Sequence, residues 1–273
     1  MLERLQNVDR RIIYVILLIV CFVPMAKPIG IPLQVNTTTQ MVYDIVEGLD
    51  PATDRVLFVM DYSVGGSADV HPQAVAVAKH LAKRHIPTVM VSFVDSGTMF
   101  TEQIITMLGD QVTYGVDVVN LGYMAGMETA VKAFVENPKT SFTLDYNGNQ
   151  VASLPIMQSV SDIQDFSFII DFQTGNPGYQ DFLRQLPAGM SYAAGIVTVS
   201  VPNVMPYLSS GQLSGLLQGL RGAAEYEVLL KEPGDGAAMM DAQSMAHMVI
   251  ILFIVVGNAA YFLNKKSAAK PKA

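Results

Sequence analysis

Three aspartates stand where short apolar runs end or pass. Asp61 follows Val56-Leu57-Phe58-Val59-Met60, Asp95 follows a run at 88–93, and Asp171 lies inside a run at 166–172. A carboxylate in such a place must be solvated, paired or protonated, and it can hold a metal, accept a hydrogen bond or act as a base. The three are therefore candidate catalytic residues, with Asp61 beside Asp95 or Asp171 for a hydrolase or transferase. The plainer reading is that an Asp at a strand end caps the turn or helix that follows. Other polar or small residues also follow apolar runs. Together they predict a ligand crevice of Asp61, Tyr62, Ser63, Asp95, Gly122, Tyr123, Thr174, Gly175 and Asn203, because a parallel sheet binds ligands beyond the carboxyl ends of its strands.

The elements that must position these residues alternate. Apolar runs at 56–60, 88–93, 116–121, 166–172 and 195–201 read as buried strands, and helical spacing recurs at 71–85, 101–108, 127–135, 179–185 and 208–230. Strands alternating with helices predict an α/β, Rossmann-like domain with a mostly parallel sheet and helices on both faces. Asn147-Gly148, between runs at 141–144 and 150–153, predicts a hairpin or an elaborated crossover. The segments 28–40 and 231–244 read as linkers, the second as a flexible tether carrying Pro233-Gly234-Asp235-Gly236.

Within 208–230, Gly211, Gly215 and Gly219 recur every four residues. On one long helix they would form a bare stripe. Each glycine costs about 0.8–1 kcal/mol there relative to alanine, which implies close approach by another backbone, from the same domain or from a partner. Gly211, Gly215, Gly219, Arg221 and Glu225 are the candidate interaction residues, and Arg221 with Glu225 form an i, i+4 pair expected on an exposed face.

Several chemistries lack their residues. Gly65-Gly66-Ser67 matches neither G-x-G-x-x-G nor G-x-x-x-x-G-K-[ST] and reads as a flexible loop, so no cofactor is expected. His71, His80, His85 and His247 have no metal-ligand spacing and are expected to be solvated; no metal site is assigned. No G-x-S-x-G elbow occurs, and the single cysteine, Cys21, lies in the first apolar segment, leaving the domain without a thiol nucleophile.

Apolar segments at 12–26 and 246–263 flank the domain. They predict an anchor over 12–27 and a transmembrane helix over 245–263, with the α/β domain at 41–230 between them. Pro24-Met25-Ala26 before Lys27-Pro28 is a poor cleavage site, so the first segment is expected to stay as an anchor rather than act as a cleaved signal peptide. Arg10 and Arg11 outside the first segment, and Lys265, Lys266, Lys270 and Lys272 outside the second, place the tails 1–11 and 264–273 in the cytoplasm and the domain across the membrane. Residues 28–243 hold nine Lys/Arg against twenty-two Asp/Glu, a formal charge of −13, which disfavours nucleic acid as a partner.

The runs Tyr114-Gly115-Val116-Asp117-Val118-Val119-Asn120-Leu121-Gly122-Tyr123 with Gly126, and Gly219-Leu220-Arg221-Gly222-Ala223-Ala224-Glu225-Tyr226-Glu227, resemble phrases shared by a group of bacterial membrane-anchored Rossmann-like proteins with no assigned activity. The resemblance implies a bacterial-type cytoplasmic-membrane protein facing the envelope and supplies no reaction. With two anchors, the glycine stripe and no complete catalytic motif, the leading expectation is a non-catalytic subunit or scaffold that binds other envelope or membrane proteins, a homo-oligomer being compatible with this. A hydrolase, a transferase or a small-ligand sensor working around Asp61 is the alternative.

Overall fold

The structure, a computed structural model, describes residues 9–268. The expected tail residues Lys270 and Lys272 and residues 1–8 lie outside the described part. The chain divides into two compact units, residues 33–236 and the two chain ends 1–32 and 237–273.

The first unit is an α/β domain. Its strands are β1 (Val56–Asp61), β2 (Thr88–Ser92), β3 (Val118–Tyr123), β4 (Phe168–Gln173), β5 (Tyr192–Ile196) and β6 (Gly215–Gln218). They form one six-stranded sheet in the order β3-β2-β1-β4-β5-β6, every pairing parallel, a Rossmann-like arrangement. All six residues of β1 are buried, as a strand covered on both faces requires. One face carries Phe58, Met60, Ile170 and Phe172 against α2 (Thr37–Gly48), α3 (Ser67–Lys83), α4 (Gly97–Leu108) and α9 (Gly219–Leu230). The other carries Leu57, Val59, Ile169 and Ala194 against α5 (Glu128–Glu136), the short α6 (Pro155–Gln158), α7 (Tyr179–Gln185) and α8 (Val201–Ser209).

Four local expectations change. The segment read as one helix over 208–230 is α8, a turn, β6 and then α9. Gly211 and Gly219 hold φ values of 76° and 55°, left-handed conformations that interrupt a helix instead of lining one. Gly215 lies in β6, so the four-residue stripe does not exist. Residues 37–40, read as linker, begin α2, whose Val42 packs over Gly215. The tether shrinks to a turn: Lys231 ends α9 in the left-handed conformation, the backbone N–H groups of Gly234 and Gly236 donate to Glu227 at 2.9 Å each, and α10 starts at Asp235. Around Asn147-Gly148 the chain forms a single antiparallel bridge, Leu144 with Gln150, rather than a full hairpin.

The second unit contains α1 (Arg10–Ala26) and most of α10 (Asp235–Ala268). Asp235–Phe262, whose most apolar 18-residue window has a mean hydropathy of 2.0, is the one stretch among the described residues that is long and apolar enough to cross a membrane. Helix α1 has 17 residues, about 26 Å at 1.5 Å per residue, and exposes Leu18 and Phe22. Between them, the Asp241 carboxylate accepts the backbone N–H groups of Ile29, Gly30 and Ile31 at 2.7, 2.8 and 3.1 Å.

Candidate functional site

The sheet order reverses between β1 and β4, the place where a sheet of this topology commonly binds ligands. Asp61 ends β1 and stands in register with Gln173, while Asp171 stands in register with Val59. With a side-chain period of two, Asp61 and Asp171 are diagonal neighbours on one face of the sheet. Both are buried. Asp61 Oδ1 accepts the Phe93 N–H at 2.6 Å and the Ser92 hydroxyl at 3.4 Å, and Asp171 Oδ2 accepts the Tyr192 hydroxyl at 3.0 Å. Their other oxygens, Asp61 Oδ2 and Asp171 Oδ1, have no hydrogen-bond partner in the protein.

Burial is the main reason that Asp61 is pushed up to about 8, with repulsion from Asp181 adding to it and the Phe93 and Ser92 hydrogen bonds opposing it. Burial likewise drives Asp171 well above the carboxylate range, and the neighbouring Asp61 charge reinforces the shift. Two carboxyl groups so close in one dry layer resist ionising together. Both carboxyls therefore hold their protons to higher pH than a free aspartate does.

The expected crevice does not gather as one set. Tyr62 turns to the opposite face from Asp61 and is wholly buried, its hydroxyl 2.7 Å from His71 Nδ1 and its ring 4.8 Å from Phe100. Asp95 is exposed and accepts the N–H of its neighbour Ser96. Gly122 lies within β3, its N–H bound to Asn120 Oδ1, and Tyr123 ends that edge strand, two strands from β1. Asp95 is therefore not paired with Asp61 as a catalytic acid and base would be.

Ser63, Thr174, Gly175 and Asn203 do cluster near one edge. The Ser63 N–H donates to Thr174 Oγ1 at 3.0 Å. Beyond β4 and β5 lies an open crevice of about 210 Å³, lined by Thr174, Gly175 and Asn203 together with Gln173, Asn176, Gly178, Tyr179, Gln180, Ile196 and Ser200. Gln173 is its most informative wall. Its Oε1 accepts the Tyr179 N–H at 3.0 Å, which fixes the amide orientation, and its Nε2 is buried with no hydrogen-bond partner in the protein. Reading β5 over 195–201 hid Ser200, which lies beyond the end of the strand at Ile196. Gln173 directly follows the run read at 166–172 and was passed over for Thr174 and Gly175; the structure makes it the last residue of β4.

The loop after β1 is closed. A Cβ at Gly66 would stand 2.3 Å from Thr174 Cγ2, and Asp69, in the first turn of α3, accepts the N–H and hydroxyl of Thr198 at 3.0 and 3.1 Å. Gly66 thus serves packing between the loops after β1 and β4, and Asp69 ties α3 to the loop after β5.

Of the interaction candidates, Gly215, Gly219, Arg221 and Glu225 make contacts inside the domain, and Gly211 has open space around it. A Cβ at Gly215 would meet Val42 Cγ2 at 2.6 Å, and one at Gly219 would meet Thr198 Oγ1 at 1.9 Å. Arg221 does pair with Glu225, Nε to Oε1 at 2.7 Å, but Glu225 is fully buried and its Oε2 accepts the Thr39 hydroxyl at 2.6 Å. Arg221 is exposed as expected, while Glu225 lies in a helix interface. His80 is likewise buried, its Nδ1 2.8 Å from the Tyr226 hydroxyl and its Nε2 3.1 Å from Glu47. Burial lowers its pKa, and Glu47 partly offsets that.

A second crevice, about 400 Å³, opens near the amino end of β5 and is lined by Leu183, Leu186, Pro187, Met190 and Gln212 among others. It is the larger, but no side chain lining it has a buried polar atom without a partner, and it lies at the edge of the sheet away from the post-strand residues. No protein-family model matches the sequence, and no curated protein matches it either.

Proposed function

We propose that this protein is a non-catalytic, membrane-anchored binding subunit whose α/β domain holds a small molecule in the crevice beyond β4 and β5. The observation that carries this reading is the crevice itself, an open space of about 210 Å³ beyond the carboxyl ends of β4 and β5 whose wall combines uncharged polar side chains, Gln173, Thr174, Ser200 and Asn203 among them. Asp61 and Asp171 lie outside the crevice lining, buried and hard to ionise, which suits support of the sheet edge better than chemistry on a substrate.

Native mass spectrometry of the full chain in nanodiscs tests this reading. The wild type is expected to carry a small-molecule adduct after expression or after exposure to a metabolite extract, and Gly175→Val, which fills the crevice, is expected to lose it. Identical bare masses for both proteins would overturn the proposal.

A second reading, a scaffold for other envelope proteins, is favoured by apolar side chains exposed along the same edge, notably Val64 at 62% and Val199 at 83%. Under it, Val64→Asp with Val199→Asp should abolish co-purification of membrane subunits without unfolding the domain. In either case α1 serves as a second anchor and both tails face the cytoplasm of a bacterial-type cell, with the domain on the far side. In a Cys21→Ala background, an impermeant thiol reagent on intact cells should label a cysteine at Ser209 and spare one at Ser267. The opposite pattern would invert the topology.

A further inference from the structure

From the chemistry of the crevice wall we infer that its ligand is a neutral polyhydroxyl compound about the size of a pentose. This inference rests on the binding reading above. Every residue lining the crevice is uncharged, and the polar ones include Gln173, Thr174, Asn176, Tyr179, Ser200 and Asn203. A charged group brought into such a wall would be desolvated without a partner, which costs far more than an unpaired neutral group. The nearby charges offer it no counter-ion: Asp181 is already committed to Arg184 and the Gly178 N–H, and Asp61 and Asp171 bond Phe93 and Tyr192 instead of reaching the wall. A purely apolar ligand fails for the opposite reason, because it would leave the amides and hydroxyls of the wall without water or partner.

Amides and hydroxyls both donate and accept, and the ligand groups that reciprocate at every position are hydroxyls. A ligand hydroxyl can accept from an amide N–H of the wall while its own proton turns to Asn203, Ser200 or Thr174. Ile196, Gly175 and Gly178 provide apolar wall for the C–H surface of a ring. Size follows from volume. A cavity of about 150 Å³ holds benzene, so the 210 Å³ crevice accommodates roughly eight to ten non-hydrogen atoms, a pentose or pentitol. Because the crevice is open, a free pentose and the terminal pentose of a longer glycan present the same chemistry.

Saturation-transfer NMR on the full chain in nanodiscs tests the inference. The probes are ribose, xylose, arabinose and ribitol, the methyl glycosides of the three sugars, and putrescine and malate as charged compounds of similar size. At least one pentose or ribitol should bind saturably, and Asn203→Leu and Gly175→Val should each weaken it by about tenfold or more while the thermal midpoint holds. Methyl glycosides binding as well as the free sugars would assign the site to a glycan end; their exclusion would assign it to the free molecule. Binding of putrescine or malate alone, lost in both variants, would overturn the ligand class and keep the site. Pentose binding that survives both variants would overturn the site, and no binding by any probe would overturn the inference and leave the mass-spectrometric adduct to decide the binding reading separately.

Discussion

At the carboxyl ends of β1 and β2, glycines mark contact; beyond β4, a glycine marks space. A Cβ at Gly97 would lie 1.9 Å from the Met60 carbonyl oxygen and 2.1 Å from Ser92 Oγ, and one at Gly66 would collide with Thr174. At Gly175 it would meet nothing within 4 Å. One half of the sheet edge is sealed by backbone approach and the other stays open beside neutral polar side chains. In this domain a glycine-rich strand-to-helix turn is a packing device, and the open space lies one strand along, beside the loop after β4. The same residue type performs opposite tasks, and only its surroundings distinguish them.

The largest expected effect tests the sealed half. Gly97→Ala pushes a methyl group into backbone that cannot rotate away, so it should cost about 3 kcal/mol or more, since overpacking that side chains can absorb already costs about 1–3 kcal/mol. Chemical denaturation measures it, and a loss below 1 kcal/mol, roughly the scale of an ordinary substitution, would mean that the contact between α4 and β1 is loose.

The buried acids beneath the edge come next. Asp61 is raised from 3.8 to about 8, so between these values the folded protein holds a proton that the unfolded chain has lost. Stability from this group is unaffected below the lower value, falls as pH rises through the window, and levels off above the upper one. The slope approaches at most about 1.4 kcal/mol per pH unit for one proton. Asp61→Asn should flatten the decline between about pH 5 and about pH 8 and raise stability at the alkaline end, read from urea midpoints. Equal slopes in variant and wild type would show that Asp61 is ionised in the fold.

Gly215→Ala sharpens the account of the third glycine region. Its Cβ would press on Val42, which can yield in part, so a loss of about 1–2 kcal/mol is expected from thermal melts of the full chain. An unchanged midpoint would free this surface for a partner after all. The smallest stability effect belongs to Gly175→Ala: within about 0.5 kcal/mol of wild type, because the space is open. A large loss there would break the contrast between the two halves.

The parallel strands were legible in the alternation of apolar runs with helical spacing, and α7 is found at Tyr179–Gln185 as read. Strand β6 was not legible. Its Gly215-Leu216-Leu217-Gln218 sits among leucines and glycines whose four-residue spacing mimics one helical face, and only the left-handed φ at Gly211 and Gly219 separates the elements. Thr174, Gly175 and Asn203 could be found from their place after strands. Gln173 could not, because its significance is an unpaired amide nitrogen, and a pairing depends on where neighbouring chains come to rest.

The order of apolar and polar residues was sufficient to determine an α/β class, an acidic middle between apolar ends and an apolar C-terminal helix, since these depend on hydrophobic periodicity and composition alone. Which carboxylates are buried, which glycines touch a neighbour and which post-strand residues share a crevice were decided by strand order and loop packing. The sheet places β1 beside β4 although more than a hundred residues separate them. That long-range pairing brings Asp61 and Asp171 together on one buried face, and no local pattern records which strands lie side by side.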